Sequence, residues 1–395
     1  MIADGGDRVG FHAGLLRAGR ALELVPLERI TPAERASLGE DIASGLYGIL
    51  RPRPGERLEP RVVSPDTALL FLTLAEPGPL PAYARAALGE AAADTVARLV
   101  MDGVLEFKHR GEWVSAGSAA ALLAGPAPKG GRGRIGELSL AAVRYGQELG
   151  DLPEDLLALR LYAYGRRPVS PELRRKLPDE TAVSEALGLA DDGPARRALD
   201  DGWREVPAQA GSPAYWRSWR PRRPVRDTRG RRASYKLYIS PSVGALPSAL
   251  AIAAEVLAAG IPAIAFKTGK DLPGICRPDK FVVYFDRLDD LQAAAEKFRD
   301  RLAGHPAHGV PFTAAITDDG LLSWGADPPA GGGSPSSSWR LWVARRLAEH
   351  LTSARRSRGG LEPWLFALER LRVGGVDVDT WIPTGDIWLR TATSG

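Results

Sequence analysis

Alternating apolar and polar positions are clearest in the part of the chain that follows Ser234. Each of three short runs alternates as a half-buried strand does: YKLYIS (235–240), PAIAFK (262–267) and KFVVYF (280–285). Two segments with helical spacing lie between and after them, LPSALAIAAEVLAAG and LDDLQAAAEKFRDRLAG, stopped by Gly260 and Gly304. VPFTAAIT and LLSWG supply the last strands. This order predicts an α+β fold whose core, residues 233–329, is a split βαβ, ferredoxin-like antiparallel sheet with both helices on one face.

The same alternation assigns side chains to the two faces of the predicted sheet. Leu237, Ile239, Ile264, Phe266, Phe281, Val283 and Phe285 should pack on the helices. The other face, which we expect to be open, then carries three lysines and two tyrosines: Lys236, Lys267, Lys280, Tyr238 and Tyr284. The loop between the second and third strands adds Lys270 and Arg277. Two interpretations remain open, a solvated surface or a cationic cleft for a phosphate group, whose oxygens lysine and arginine bind.

The N-terminal part reads as a separate domain at 1–125, followed by a Gly- and Pro-rich linker at 126–135. Between Pro81 and Ala116 the pattern is helix, turn, helix and hairpin, as in a winged-helix-like module. Its second helix carries Glu90 and Asp94, whereas a helix that lies among phosphates should be basic. The sequence therefore favours a structural or peptide-docking module over a DNA-binding one. If the module docks a peptide, the candidate is the leader peptide of a precursor.

Residues 136 to about 227 are predicted to be mostly helical and are rich in arginine and aromatic residues. RLYAYGRRPVSPELRRKLPDE and YWRSWRPRRPVR are the densest stretches. Arginine stems commonly cover aromatic faces on ordinary surfaces. The alternative is a role in binding an acidic or phosphorylated ligand.

Composition narrows the class of protein. The formal net charge is only +4 over 395 residues, so bulk charge does not indicate nucleic acid. The single cysteine, Cys276, fits a reducing cytoplasm, and no apolar run is long enough to span a membrane. His305 and His308 lack a second cluster of ligands for a metal, and the glycines at 131, 133 and 136 follow no strand, so we expect no metal and no cofactor.

Four blocks in the second half of the chain stand out together: YKLYISPSVGALPSAL, FKTGKDLPGICRPDKFVVYF, HGVPFTAAITDDGLLSWGADPP and SWRLWVARRLA, with LRLYAYGRRP and RRKLPDE upstream. Taken together, these blocks resemble the HopA1-type effector domain, over roughly Gly136 to the C-terminus. The resemblance implies a HopA1-like lyase domain at 136–395, as in class V lanthipeptide and thioamitide biosynthesis. There a separate kinase phosphorylates Ser or Thr of a ribosomal precursor peptide, and the lyase eliminates phosphate to leave dehydroalanine or dehydrobutyrine.

That resemblance implies roles for the residues on the cationic face. Lys267 is expected to be the base, and Lys236, Lys270, Arg277 and Lys280 to bind the phosphate. Tyr238, Tyr284 or His308 would protonate the leaving oxygen. Expected partners are the precursor peptide, a kinase and possibly a cyclase. The main alternative is a non-catalytic phosphopeptide- or precursor-binding subunit, and a secreted effector or a DNA-binding regulator ranks below it.

Overall fold

The structure is a computed structural model. It describes residues 10–37, 45–56, 58, 60–124, 133–150, 152–207, 215–223, 234–328, 338–356 and 361–384. Most of the predicted linker at 126–135 lies outside these ranges. Two compact units are present, one drawn from 1–127, 147–154 and 347–376, the other from 128–146, 155–346 and 377–395. The functional division predicted at 125 and 136 stays a prediction.

The strands in chain order are β1 (Leu16–Ala18), β2 (Leu22–Pro26), β3 (Gly48–Pro52), β4 (Arg61–Val63), β5 (Leu105–His109), β6 (Glu112–Val114), β7 (Trp203–Val206), β8 (Trp216–Pro221), β9 (Tyr235–Ile239), β10 (Ala265–Gly269), β11 (Phe281–Phe285), β12 (Ala314–Ala315), β13 (Leu322–Ala326), β14 (Val376–Asp377) and β15 (Ile382–Pro383). The helices are α1 (Pro32–Ser37), α2 (Pro65–Thr73), α3 (Ala82–Leu88), α4 (Ala92–Met101), α5 (Ala116–Leu123), α6 (Gly133–Glu148), α7 (Glu154–Tyr162), α8 (Pro171–Lys176), α9 (Glu180–Ala186), α10 (Pro194–Asp200), α11 (Leu246–Ala258), α12 (Leu272–Ile275), α13 (Leu288–Leu302), α14 (Trp339–Arg356) and α15 (Pro363–Val373).

The larger unit is built on a seven-stranded sheet in the order β12-β13-β9-β11-β10-β8-β7, with antiparallel neighbours throughout. Its central four strands, β13-β9-β11-β10, have the 4-1-3-2 order of a split βαβ sheet. The predicted α+β class and the predicted sheet are confirmed. Helices α11 and α13 share one buried cluster with Leu237, Phe266 and Phe281, so both helices cover the predicted face.

Two glycines set the ends of the helices that cover this face. Gly260 has a φ of +85° and Gly304 a φ of +83°, in the left-handed region that glycine adopts at little cost. They follow α11 and α13 closely and turn the chain back toward the sheet, as the sequence predicts. The turn at Gly260 returns the chain to β10, whose Lys267 lies on the opposite face.

In the described part of residues 136 to about 227, five helices (α6–α10) bear out the predicted mostly helical character, and two strands that the prediction missed, β7 and β8, follow them. β8 pairs with β10 and β7 with β8, so they lengthen the sheet. Trp219 stacks on Phe266 with ring centroids 4.6 Å apart, and Trp203 packs edge-on against the same ring at 5.0 Å. Tryptophan is enriched in strands, and here that preference outweighs the helical pattern of an arginine-rich segment.

The face opposite the helices is covered, and the expectation of an open face is wrong there. Tyr238 is 2% exposed and Lys280 is 0% exposed. Tyr238 and Val282 form a buried cluster with Val310, which lies in the segment after α13. The alternation of apolar and polar residues predicts which side chains share a face of the sheet. It does not predict which later segment of the chain covers that face.

The smaller unit contains two three-stranded sheets, β1-β5-β6 and β2-β3-β4. The predicted order of helix, turn, helix and hairpin is present as α3, α4 and the β5–β6 pair. Helix α15 belongs to this unit, where Arg370 donates to both carboxylate oxygens of Asp102 at 2.9 and 2.7 Å. Among the described helices of either unit, none has the length and apolarity needed to cross a membrane.

Candidate functional site

Lys267 lies in β10 on the face opposite the helices. Its Nζ is 4.1 Å from the ring centroid of Trp216 and 5.7 Å from that of Tyr284. Burial lowers the pKa of Lys267 to about 8, although Asp279 acts to raise it and Arg277 to lower it further. Within the described chain, no carboxylate forms an ion pair with this ammonium group. A lysine of this pKa is uncharged in about one molecule in ten at pH 7.

Next to Lys267 lies a buried centre of two arginines and one aspartate. Arg277 donates from Nε and Nη2 to the two oxygens of Asp279, at 2.8 and 2.9 Å. Nη1 of Arg340 lies 2.8 Å from Asp279 Oδ2. Burial acts to raise the pKa of Asp279, but the two guanidinium groups outweigh it and hold that pKa well below its usual range. Two cations sharing one anion leave a net positive charge in a buried position.

Aromatic side chains join this centre to Lys267. Arg277 donates from Nη2 to the Tyr162 hydroxyl at 3.1 Å and from Nη1 to the Tyr215 hydroxyl at 3.3 Å. Its guanidinium also lies over the ring of Trp216, 5.3 Å from the centroid. Trp216 therefore contacts both Arg277 and Lys267, and one ring holds the two cations near each other.

Sequence reasoning missed five of these residues. Tyr162, Tyr215 and Trp216 lie in the arginine- and aromatic-rich stretches, which gave no sign of meeting β10, whereas Asp279 and Arg340 lie outside those stretches. The missed residues are Tyr162, Tyr215, Trp216, Asp279 and Arg340.

Lys280 and His308 form a buried hydrogen-bonded pair. Nζ of Lys280 is 2.9 Å from the Pro241 carbonyl oxygen and 2.8 Å from Nδ1 of His308. Nε2 of His308 lies 2.6 Å from the carbonyl oxygen of Gly165, which can only accept, so the ring proton is assigned to Nε2. Burial lowers the pKa of Lys280 to about 7 and that of His308 to about 3. Both nitrogens of a neutral His308 are thus already hydrogen bonded inside the protein.

Lys236 and Tyr284 lie on the other side of Lys267. Nζ of Lys236 is 2.6 Å from Asp327 Oδ2, and the ammonium sits 5.5 Å from the Tyr284 ring centroid. Burial raises the pKa of Tyr284 to about 12 and raises the pKa of Tyr238 as well. Both phenols therefore keep their protons at neutral pH, and Tyr284 is the one whose ring is near Lys267.

Lys270 lies at the end of β10, where it pairs with Glu180 at 2.8 Å. It lines a cleft of about 510 Å³ together with Trp216 and residues of α9. Lys236, Lys267 and Lys280 are not among the lining residues of this cleft. The structure thus brings Lys267, Arg277 and Tyr284 together, whereas it holds Lys236 and Lys270 in ion pairs and buries Lys280 against His308.

No family model matches the chain, and the search of curated proteins finds no similar sequence. Two effector proteins are among the solved structures that are similar to it. One is an effector protein from Pseudomonas syringae pv. tomato strain DC3000, with 13% identity, 62% of this chain and 97% of that chain covered, and a TM-score of 0.40. The other is an effector protein from Pseudomonas syringae pv. syringae strain 61, with 14% identity, 64% and 100% covered, and a TM-score of 0.39. At these TM-scores neither likeness carries an inference about activity.

Proposed function

We propose that this protein is a lyase that eliminates phosphate from phosphoserine or phosphothreonine in a peptide. The observation that carries the proposal is Lys267, an amine with a pKa of about 8 and no carboxylate partner in the described chain, set beside the net positive centre of Arg277 and Arg340. An amine with a pKa near the working pH is unprotonated in a substantial fraction of molecules and is still basic enough to take a proton from the substrate.

The proposed reaction is a β-elimination. The lone pair of neutral Lys267 takes the α-proton of the phosphorylated residue, and the electrons of the Cα–H bond form the Cα=Cβ double bond. The Cβ–O bond breaks, and the phosphate leaves with that electron pair. The products are dehydroalanine or dehydrobutyrine, inorganic phosphate and protonated Lys267, which releases its proton to water before the next turnover.

The other roles follow from the contacts of each side chain. Arg277 lies over the same Trp216 ring as Lys267, and a preorganised cation stabilises the charge that grows on the leaving phosphate. Tyr284, protonated at neutral pH, is the proposed donor to the leaving oxygen, and its phenolate takes a proton back from water before the next turnover. Lys236, Lys270 and Lys280 already have internal partners, so any part they take in phosphate binding requires those contacts to be shared or exchanged.

The substrate and partners of this proposal rest on the resemblance to the HopA1-type domain. The substrate would be a ribosomal precursor peptide in lanthipeptide-like biosynthesis, phosphorylated by a separate kinase. A cyclase that adds thiols to the dehydrated residues would act next. The reaction would take place in the cytoplasm, where precursor and kinase are made.

The alternative is a binding subunit that holds the phosphopeptide for a partner kinase or cyclase. One observation favours it: three of the five predicted cations, Lys236, Lys270 and Arg277, have carboxylate partners. Paired cations offer less charge to a transition state, and a binder does not need a neutral lysine.

A charge-preserving substitution separates the two functions. Lys267→Arg keeps the positive charge but removes the base, since arginine stays protonated in proteins. Incubation with a phosphoserine peptide should show loss of the mass of phosphoric acid with the wild-type protein and none with Lys267→Arg, while peptide binding persists. Lys297→Arg, an exposed position on α13, is the matched control and should retain activity. If the wild-type protein returns the phosphopeptide intact under every condition that supports binding, the lyase is ruled out.

A further inference from the structure

The segment between α7 and α9 carries an exposed row of arginines for which the reaction chemistry has no use. We define the basic rim as Arg166, Arg167, Arg174 and Arg175, all exposed. Within the described chain, none of these four guanidinium groups forms an ion pair or a side-chain hydrogen bond. Exposed arginines that serve only solubility are ordinarily interspersed with carboxylates. Four without partners in ten residues therefore need a separate explanation.

The carboxylates of this segment are already engaged. Glu172 pairs with Lys176 at 2.8 Å, and Glu180 pairs with Lys270 at 2.8 Å. Asp179 accepts a hydrogen bond from the backbone nitrogen of Ala182 at the start of α9. None of the three neutralises the basic rim, so the rim presents a positive potential to solvent.

Contacts at both ends hold the segment beside the loop that follows β10. The backbone nitrogen of Arg167 donates to the carbonyl oxygen of Cys276 at 2.9 Å, one residue before Arg277. At the other end Glu180 reaches Lys270 in the same loop. The rim therefore borders the loop that carries Arg277.

The packing of α8 explains why its arginines face outward. Leu173 and Leu177 pack against the buried core under the sheet, and they lie one helical turn apart on the same side. Arg174 and Arg175 fall between them on the solvent side, where both are exposed. The helix is thus anchored by its leucines and presents its guanidinium groups to solvent, between the two contacts of the segment with the loop.

We infer that the basic rim binds aspartate and glutamate side chains that flank the phosphorylated residue of the peptide substrate. This inference rests on the proposed function, since it takes a phosphopeptide as the occupant of the neighbouring site. The backbone of Arg167 is hydrogen bonded to that of Cys276, next to Arg277, and an extended peptide advances by about 3.3–3.6 Å per residue. The proposal is that residues a few positions from the phosphoserine reach the rim. Guanidinium groups without internal partners offer paired donors to each carboxylate.

Two labelled phosphopeptides with the same phosphoserine test the inference, one flanked by Asp and Glu and the other by Asn and Gln. Binding is measured by fluorescence anisotropy in a Lys267→Arg background, which prevents turnover. The added changes Arg174→Gln and Arg175→Gln should weaken binding of the acidic peptide about fivefold and leave the neutral peptide unchanged. Lys297→Gln with Arg299→Gln removes two charges from the last turns of α13 and is the matched control. Equal thermal unfolding of both double variants shows that neither has lost its fold.

Three results overturn the inference. The first is equal binding of the acidic peptide by the rim variant and the control variant, and the second is equal binding of the two peptides by the protein with an intact rim. The third is tighter binding of a single-stranded RNA or a phosphatidylserine vesicle to the rim than of the acidic peptide. The two proposals fail separately. Phosphate release from both peptides at equal rates, with no rim effect, rejects the rim but keeps the lyase. Rim-dependent binding of the acidic peptide with no phosphate release by the wild type rejects the lyase but keeps the rim.

Discussion

Lys267 experiences two opposing effects from the residues around it. The rings of Trp216 and Tyr284 exclude water, which disfavours the ammonium form, while a cation over an aromatic face is itself stabilised by about 0.5–2 kcal/mol. Desolvation is the larger effect, because the pKa falls to about 8. Between Trp216 and Tyr284, Lys267 is therefore mostly charged at neutral pH but loses its proton easily. A catalytic base needs both properties, because it must gain and release a proton in every catalytic cycle.

The rate of phosphate release should follow the neutral fraction of Lys267. Since the neutral amine is the base, the rate should rise about tenfold per pH unit below pH 8 and level off above it. The second pKa of a phosphoryl group is near 6, so the charge of the substrate is constant between pH 7 and 9. The measurement is kcat/KM for phosphate release over this range. A flat profile from pH 7 to 9 would contradict the assignment of Lys267 as the base.

The buried Lys280–His308 pair should make the free energy of unfolding depend on pH. His308 has a pKa of about 3 in the folded protein against 6.5 for an ordinary histidine. Between pH 6.5 and 3 the unfolded chain binds one proton more than the folded one. Stability is therefore complete above pH 6.5 and falls on acidification toward pH 3, by up to about 1.4 kcal/mol per pH unit. Lys280, with a pKa of about 7, is protonated in both states over most of this window and adds little to the slope.

His308→Gln should remove this part of the acid sensitivity. A glutamine amide can accept from Lys280 and donate to the Gly165 carbonyl, and it does not titrate. The free energy of unfolding, measured in urea at pH 6.5 and 4.5, should fall less for His308→Gln than for the wild type. His305→Gln, at a half-buried position in the same turn, is the control and should behave as the wild type. If the free energy of unfolding falls equally from pH 6.5 to pH 4.5 in the wild type and both variants, His308 is not held neutral in the folded protein.

At the scale of elements, the loop between β10 and β11 decides where Arg277 lies. Gly269 ends β10, and a Cβ built on it would lie 2.4 Å from the backbone carbon of Gly274 and 2.6 Å from the nitrogen of Ile275. Asp271 accepts a hydrogen bond from Gly274 nitrogen at 2.7 Å and starts the short helix α12. The close approach of two backbone segments is thus what turns the chain from Lys267 to Arg277.

Gly269→Ala should disrupt this turn, because backbone atoms cannot move aside as a flexible side chain can. The expected loss of stability is about 1–3 kcal/mol, together with a fall in phosphate release as Arg277 is displaced. Gly244→Ala is the matched control, since the added Cβ meets nothing within 4 Å. Urea unfolding and phosphate release measured on both variants check the prediction. Equal values for Gly269→Ala and the wild type would mean that the turn adapts without cost.

The elements that the sequence predicts best are those in which apolar residues recur at a regular spacing along the whole element. β9, β10 and β11 alternate cleanly, and α11 and α13 keep helical spacing up to a glycine, so their order fixed the central sheet. β7 and β8 were missed because their tryptophans are separated by arginines, a composition that fits an exposed helix as well as an edge strand. Their identity depends on pairing with β10, which lies about 45 positions further along the chain in sequence.

At the scale of the whole molecule, the site was predicted in part. Alternation placed Lys236, Lys267 and Lys280 on one face, which is correct as far as the face is concerned. It gave no information on the partners Asp279, Asp327 and His308, because ion pairs and covering segments arise from packing between distant parts of the chain. A count of cations on a face thus overstates the charge that a ligand would meet.

The charge distribution of the smaller unit leads to the last prediction, which concerns nucleic acid. Helix α4 occupies the place of the second helix in the helix–turn–helix–hairpin order, and it exposes Asp94 together with alanines. Arg98 is half-buried, and burial lowers its pKa. A helix that enters a DNA groove needs cations toward the phosphates, whereas this one offers a carboxylate.

Duplex DNA should therefore show no saturable binding to this protein up to about 100 µM at a salt concentration of about 150 mM, where non-specific binders still associate. Anisotropy of a labelled duplex provides the measurement, and the acidic phosphopeptide titrated under the same conditions shows that the protein is active. Asp94→Lys would reverse the charge on the exposed side of α4 and is expected to create salt-sensitive binding if the shape of the module alone is suitable. Tight, salt-dependent binding by the unmodified protein would instead mean that a surface other than α4 supplies the cations, and this prediction would be wrong.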